Sequence, residues 1–137
     1  MKVIEELGHT ADKGIHIEAD TREELFEAAV TGMARMLKED SAKGKQLDLI
    51  EKIEISAQDL TSLLIKFLSE VLTLSDIQNA LFTELEIDLL QDHALKGRIR
   101  GYREEHIEED IKAVTYHQAV VRQTEDGRYQ TNIIFDI

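Results

Sequence analysis

A run of apolar residues at helical spacing restricts the fold more than any other feature: Leu60, Leu63, Leu64, Phe67, Leu68, Val71 and Leu72. They form one broad stripe on a helix that should end near residue 75. Such a stripe is stable only when buried against another layer. The flanking segments supply that layer, because their apolar period changes to two. Leu47, Leu49, Ile53 and Ile55 alternate with polar residues over 46–56, before the helix. Leu81, Leu85, Ile87 and Leu89 alternate after it. Alternation of that kind is the mark of a half-buried strand.

The remaining elements follow from the same two periods. Residues 3–7 and 14–19 read as short strands, the second with Ile15, Ile17 and Ala19 on one side. An earlier helix starts at Thr21, whose hydroxyl can cap the first turn while Glu24 reaches back. Leu25, Ala29, Met33 and Met36 line its face, and it should fade near Lys38, ahead of a loop at Lys43-Gly44-Lys45. The two methionines belong to that core stripe and need no other role. Ser56-Ala57-Gln58-Asp59 offers a second capping box before the strong helix. Beyond residue 80 four strands are expected, around Leu81–Leu89, around Leu95 and Ile99, over 110–122 and over 128–137. A Glu125-Asp126-Gly127 turn joins the last two. The order ββαβαββββ predicts an α+β, two-layer domain: a mainly antiparallel sheet with both helices on one face. No proline, repeat or linker interrupts it, so residues 1–137 are expected to form a single domain.

Charge narrows the function. With 28 acidic against 16 basic residues the net charge is −12. Arg98, Arg100 and Arg103 form the basic cluster, and Glu104, Glu105, Glu108, Glu109 and Asp110 follow it directly. Direct DNA binding and stand-alone RNA binding, which need a cationic face, are not expected. An acidic chain suits cations or a basic partner. The acidic run itself reads as a solvated loop, or as a docking patch for such a partner. No apolar run spans a bilayer and the first residues lack a signal-peptide core. The lack of cysteine removes disulfides and thiolate metal sites, in keeping with the cytoplasm. Phosphate-loop, dinucleotide and nucleophile-elbow motifs are missing, as is a Cys/His cluster for zinc.

Two short segments at the ends carry the chemistry. Gly8-His9-Thr10-Ala11-Asp12-Lys13-Gly14 lies near the start, and Ile133-Ile134-Phe135-Asp136-Ile137 closes the sequence in phase with a strand. Aspartate is depleted in strands. Asp136 stands between two residues that should face the core, so it points to the opposite side, either into a polar site or, as a plain edge residue, to solvent. Asp12 alone reads as a turn residue. If its turn packs beside the last strand, Asp12, Asp136 and the α-carboxylate of Ile137 converge. Like charges that close require a cation among them. Oxygen ligands favour Ca²⁺ or Mg²⁺ over a soft metal.

His9-Thr10-Ala11-Asp12-Lys13-Gly14, Asp20-Thr21-Arg22-Glu23-Glu24-Leu25-Phe26-Glu27-Ala28-Ala29, Ile111-Lys112-Ala113-Val114-Thr115-Tyr116-His117 and Phe135-Asp136-Ile137 occur in this order. Together they resemble the archease family. The resemblance implies a compact strand-helix-strand-strand module. It also implies a non-enzymatic partner of the RtcB-type tRNA-splicing RNA ligase, one that promotes guanylylation and multiple turnover and broadens nucleotide use. tRNA would be met only through the ligase. The family's metal site maps onto Asp12, Asp136 and Ile137, the last through its carboxylate or main-chain oxygen, with Ca²⁺ preferred over Mg²⁺ or Mn²⁺. Lys13 stands where the family commonly has an apolar residue.

Around that site His9 is read as a hydrogen-bonding partner that shapes the turn. Lys112 is read either as a contact for the ligase or a phosphate, or as a solvated lysine. Tyr116 and His117 could share its surface. Two other functions draw on the same residues: a small metal-dependent hydrolase with His9 as base, and a chaperone-like scaffold with no metal role.

Overall fold

A computed structural model describes residues 2–8, 12–41 and 43–137. Among the described residues eight strands and two helices follow one another: β1 Val3–Gly8, β2 Asp12–Ala19, α1 Arg22–Leu37, β3 Leu49–Ser56, α2 Leu60–Gln78, β4 Ala80–Gln91, β5 Ala94–Arg103, β6 Ala113–Thr115, β7 Arg122–Gln123 and β8 Tyr129–Asp136. The expected α+β class with antiparallel strands is observed. The strands divide into two sheets, however. One has the order β1-β2-β8-β6, with β7 also on β8; the other is β3-β5-β4. Strand periodicity reveals a buried face but not which strands share it. As a result each helix meets strands of both sheets, α1 packing on β2 and β4, and α2 on β3, β4 and β6.

Local chemistry explains the ends of the helices. The Thr21 hydroxyl accepts the Glu24 N–H at 3.1 Å, as the capping pattern requires. At α2 the cap is Asp59, not Ser56: its carboxylate accepts the Ser62 N–H at 2.7 Å. Ser56 is instead the last residue of β3, opposite Ala94. α2 runs three residues past the expected end and stops at Asn79, whose φ of 51° is a left-handed cap. Leu25, Phe26, Leu63, Leu64, Phe67 and Leu68 are fully buried. Phe26 and Phe67 stack between the helices, with ring centroids 6.0 Å apart. Ile15, Ile17, Ile133 and Phe135 close this core from β2 and β8.

The expected strand over 110–122 is broken. Only 113–115 and 122–123 pair with β8. Between them the chain leaves the sheet: Ala119 N–H bonds back to the Tyr116 carbonyl at 3.0 Å, and Gln118 takes a left-handed φ of 59°. The Val121 N–H goes to the Thr61 hydroxyl of α2 at 3.0 Å rather than to β8.

Candidate metal centre

β2 and β8 run antiparallel, and their register sets Asp12 opposite Asp136. Side chains opposite one another lie on the same face, with Cβ atoms about 4.5–5.5 Å apart. That face is turned away from the main core: Phe135 is fully buried, whereas Asp136 is exposed and Asp12 half-buried. Ile137 is half-buried and packs on the core, which pins the end of β8. Across its other edge Asp136 pairs with Ala113, and its carbonyl accepts the Lys112 N–H at 2.7 Å. The Lys112 side chain is exposed.

Two aspartates directly opposite one another repel. The nearest lysine in sequence does not relieve them, since Lys13 Nζ reaches Glu109 Oε2 at 3.0 Å. Among the described residues no group of three His, Asp or Glu side chains is arranged to hold a metal ion. The donor set at the paired ends of β2 and β8 is a carboxylate pair beside the oxygens of Ile137. It fits a hard cation in chemical kind, and a complete shell needs main-chain oxygen or water as well. His9 lies outside the described residues.

Along the same face stands a network that sequence alone did not suggest. His16 Nδ1 meets Asn132 Oδ1 at 2.6 Å and its Nε2 meets Glu18 Oε2 at 2.9 Å. Arg128 binds Glu18 and Asp20, each at 3.1 Å. The alternation of His16 and Glu18 was visible in the sequence, but Asn132 comes from β8 through the register and Arg128 from the residue before that strand. Both contacts of the ring are oxygen acceptors, so the imidazolium satisfies both. Burial pushes the His16 pKa down. The hydrogen bonds to Asn132 and Glu18, and the charges of Glu18 and Glu5, outweigh it and leave the pKa above the ordinary 6.5. A pKa raised on folding gives stability that is fully present below the unfolded value and is lost as pH rises through the folded one. Denaturant unfolding should therefore show wild type losing stability above pH 6.5 relative to His16→Gln. Parallel pH profiles for the two proteins would remove this role.

In the acidic run after Arg103, Glu105, Glu108 and Asp110 are exposed, as a solvated loop requires, but Glu104 is not. Glu104 is buried, accepts the His106 N–H and pairs with Lys38 at 3.0 Å, which together hold its carboxyl below the usual range. Glu108 and Glu109 donate their N–H groups to the Leu37 carbonyl, closing the end of α1. Two arginines of the basic cluster are paired: Arg98 Nη1 lies 2.6 Å from Asp88, and Arg100 pairs with Glu86, while Arg103 is exposed. No helix among the described residues is long and apolar enough to cross a membrane.

The comparisons agree with this architecture. The model of the Archease protein family matches residues 4–137. Protein archease of Pyrococcus furiosus is 33% identical over 144 aligned residues, covering 100% of both chains. Protein archease of Methanosarcina barkeri is 31% identical, covering 99% of this chain and 97% of the relative. The solution structure of protein 1598 of Methanobacterium thermoautotrophicum superimposes with a TM-score of 0.76 at 27% identity, covering 98% of each chain. A Thermotoga maritima crystal structure described as an archease, "possible chaperone", shares the fold, with a TM-score of 0.64 at 23% identity over 96% of this chain and 94% of that one.

Proposed function

The chain belongs to the archease family, and on that footing we propose that it is a non-catalytic activator of the RtcB-type tRNA-splicing RNA ligase. In this reading it promotes guanylylation of the ligase, sustains multiple turnover and broadens nucleotide use, through a divalent ion held by Asp12, Asp136 and Ile137. The observation that carries the reading is the register match of Asp12 with Asp136. Two segments 124 positions apart in the sequence bring two carboxylates together at the ends of adjacent inner strands, beside the oxygens of Ile137. When bound, a divalent ion supplies charge compensation for carboxylates and phosphates. Asp12 and Asp136 provide the hard oxygens, and Lys112, one residue before β6, stands ready for an anionic group beside them. The net charge of −12 suits an approach to an enzyme whose own RNA-handling face is cationic.

The test is multiple-turnover RNA ligation by the purified ligase with GTP, with and without this protein. Stimulation is expected with the unaltered chain and is expected to be lost in Asp12→Ala. Stimulation that survives the substitution keeps the partner and discards the metal. A chaperone-like scaffold is the second reading, favoured by the description of the Thermotoga maritima structure. Stimulation of the ligase that requires neither Ca²⁺ nor Asp12 would select it.

A further inference from the structure

Accepting the ligase as partner, we propose that the turn over residues 116–120 is the apolar anchor by which this chain docks on it. This turn interrupts the edge of the five-stranded sheet where a continuous strand would otherwise lie. It carries Tyr116 at 57% exposure and Val120 at 48%, two large apolar side chains four residues apart. Single exposed apolar residues are ordinary on protein surfaces. Here two are displayed by a turn that is built to hold them outward.

The construction is specific. The Ala119 N–H closes the turn on the Tyr116 carbonyl at 3.0 Å, and Gln118 adopts a left-handed φ of 59°, which a residue other than glycine takes at a cost. Ala119 is tucked in at 8% exposure. The His117 N–H bonds the Thr115 hydroxyl at 3.3 Å, and that hydroxyl donates to the Ile134 carbonyl at 2.9 Å. The Thr61 hydroxyl ties down Val121 at the far end. A segment fixed at both ends and in the middle loses little freedom on binding, so its contacts appear as affinity. A presented tyrosine is among the side chains that dominate protein interfaces.

Position and charge identify the occupant. Tyr116 follows three residues after Ala113, the register partner of Asp136, so the anchor begins about 10 Å from the carboxylate pair along the strand. An enzyme that grips RNA presents a cationic surface around its active site. The carboxylate pair complements that surface, while the apolar turn beside it seats on the protein rim. Free RNA is a poorer match for Tyr116, because a chain of net charge −12 repels phosphates.

The experiment measures stimulation of ligation against the concentration of this protein, for the unaltered chain, Tyr116→Ala with Val120→Ser, Tyr116→Phe, and Asp12→Ala. The double variant should raise the half-saturating concentration by at least about tenfold with the same plateau, and Tyr116→Phe should restore it. Asp12→Ala should lower the plateau instead. Both side chains are exposed, so the melting temperature should not move. An unchanged half-saturating concentration in the double variant overturns the anchor and leaves the activator reading standing. Weakened binding of a single-stranded RNA oligonucleotide to this protein alone, with ligase affinity intact, overturns it in favour of an RNA contact. Failure of the unaltered chain to stimulate removes the activator reading and the partner assigned to the turn with it.

Discussion

Saturating Ca²⁺ should raise the melting temperature of the unaltered protein markedly, and Asp12→Asn or Asp136→Asn should abolish the gain. Ligand present at about 100 times its dissociation constant adds about 2.7 kcal/mol to the folded state. In a chain of 137 residues that corresponds to roughly 10 °C. The same substitutions should act in the other direction when chelator removes the ion. Asp12 and Asp136 are register partners, and like charges placed opposite one another are destabilising. Each asparagine variant should therefore melt at or slightly above the unaltered protein in EDTA, and below it in Ca²⁺. A substitution that merely damages the fold lowers both. Thermal melts of three proteins in two buffers thus separate ion binding from structural harm. Equal Ca²⁺-induced gains in all three would place the ion elsewhere or nowhere. Repeating the melts with Mg²⁺ and Mn²⁺ ranks the metals, with Ca²⁺ expected first because two carboxylates at strand ends, completed by main-chain oxygen and water, impose no rigid octahedron.

The sequence made the periodic elements legible because burial writes itself locally. The stripe from Leu60 to Leu72 and the alternation from Ile15 to Ala19 each follow from one face meeting the core. Pairing is not local, and the partition into two sheets was correspondingly hidden. Ser56 and Asp59 both satisfy the chemistry of a helix cap; the choice fell to Asp59 because β5 holds Ser56 opposite Ala94. Residues 110–122 have the composition of a strand, and a hydroxyl on a distant helix diverts them. Glu104 looks solvated until folding brings Lys38 against it. For the candidate site the sequence offered the residue types and a condition, that the Asp12 segment lie beside the last strand. The register of β2 on β8 meets that condition. The His16 network shows the limit of such reading, since Asn132 is its partner across 116 positions of chain.

Gly14→Ala should damage stability and ion binding together, although the residue bears no ligand. Gly14 lies opposite Ile134, one register step from the aspartates on the same face. Ile134 is 2% exposed but stands apart from the main core cluster, which fits a side chain that lies on the outer side of the sheet across the glycine. A Cβ added at Gly14 would sit 2.7 Å from the Ile133 carbonyl oxygen and 2.7 Å from the Ile134 Cδ1. The isoleucine methyl can rotate away. The carbonyl belongs to the backbone of β8 and can yield only if β2 and β8 separate locally. Overpacking of this kind costs about 1–3 kcal/mol. Widening the strands there also shifts Asp12 relative to Asp136, and ion sites with loosened support lose about tenfold or more in affinity. Gly8, at the other end of the same sequence motif, is the control: nothing lies within 4 Å of a Cβ added there. Urea unfolding and calorimetric Ca²⁺ titration of Gly14→Ala and Gly8→Ala should show both losses in the first and neither in the second. Were Gly14→Ala to bind Ca²⁺ as tightly as the unaltered chain, the spacing of β2 and β8 would not be what sets the carboxylate pair.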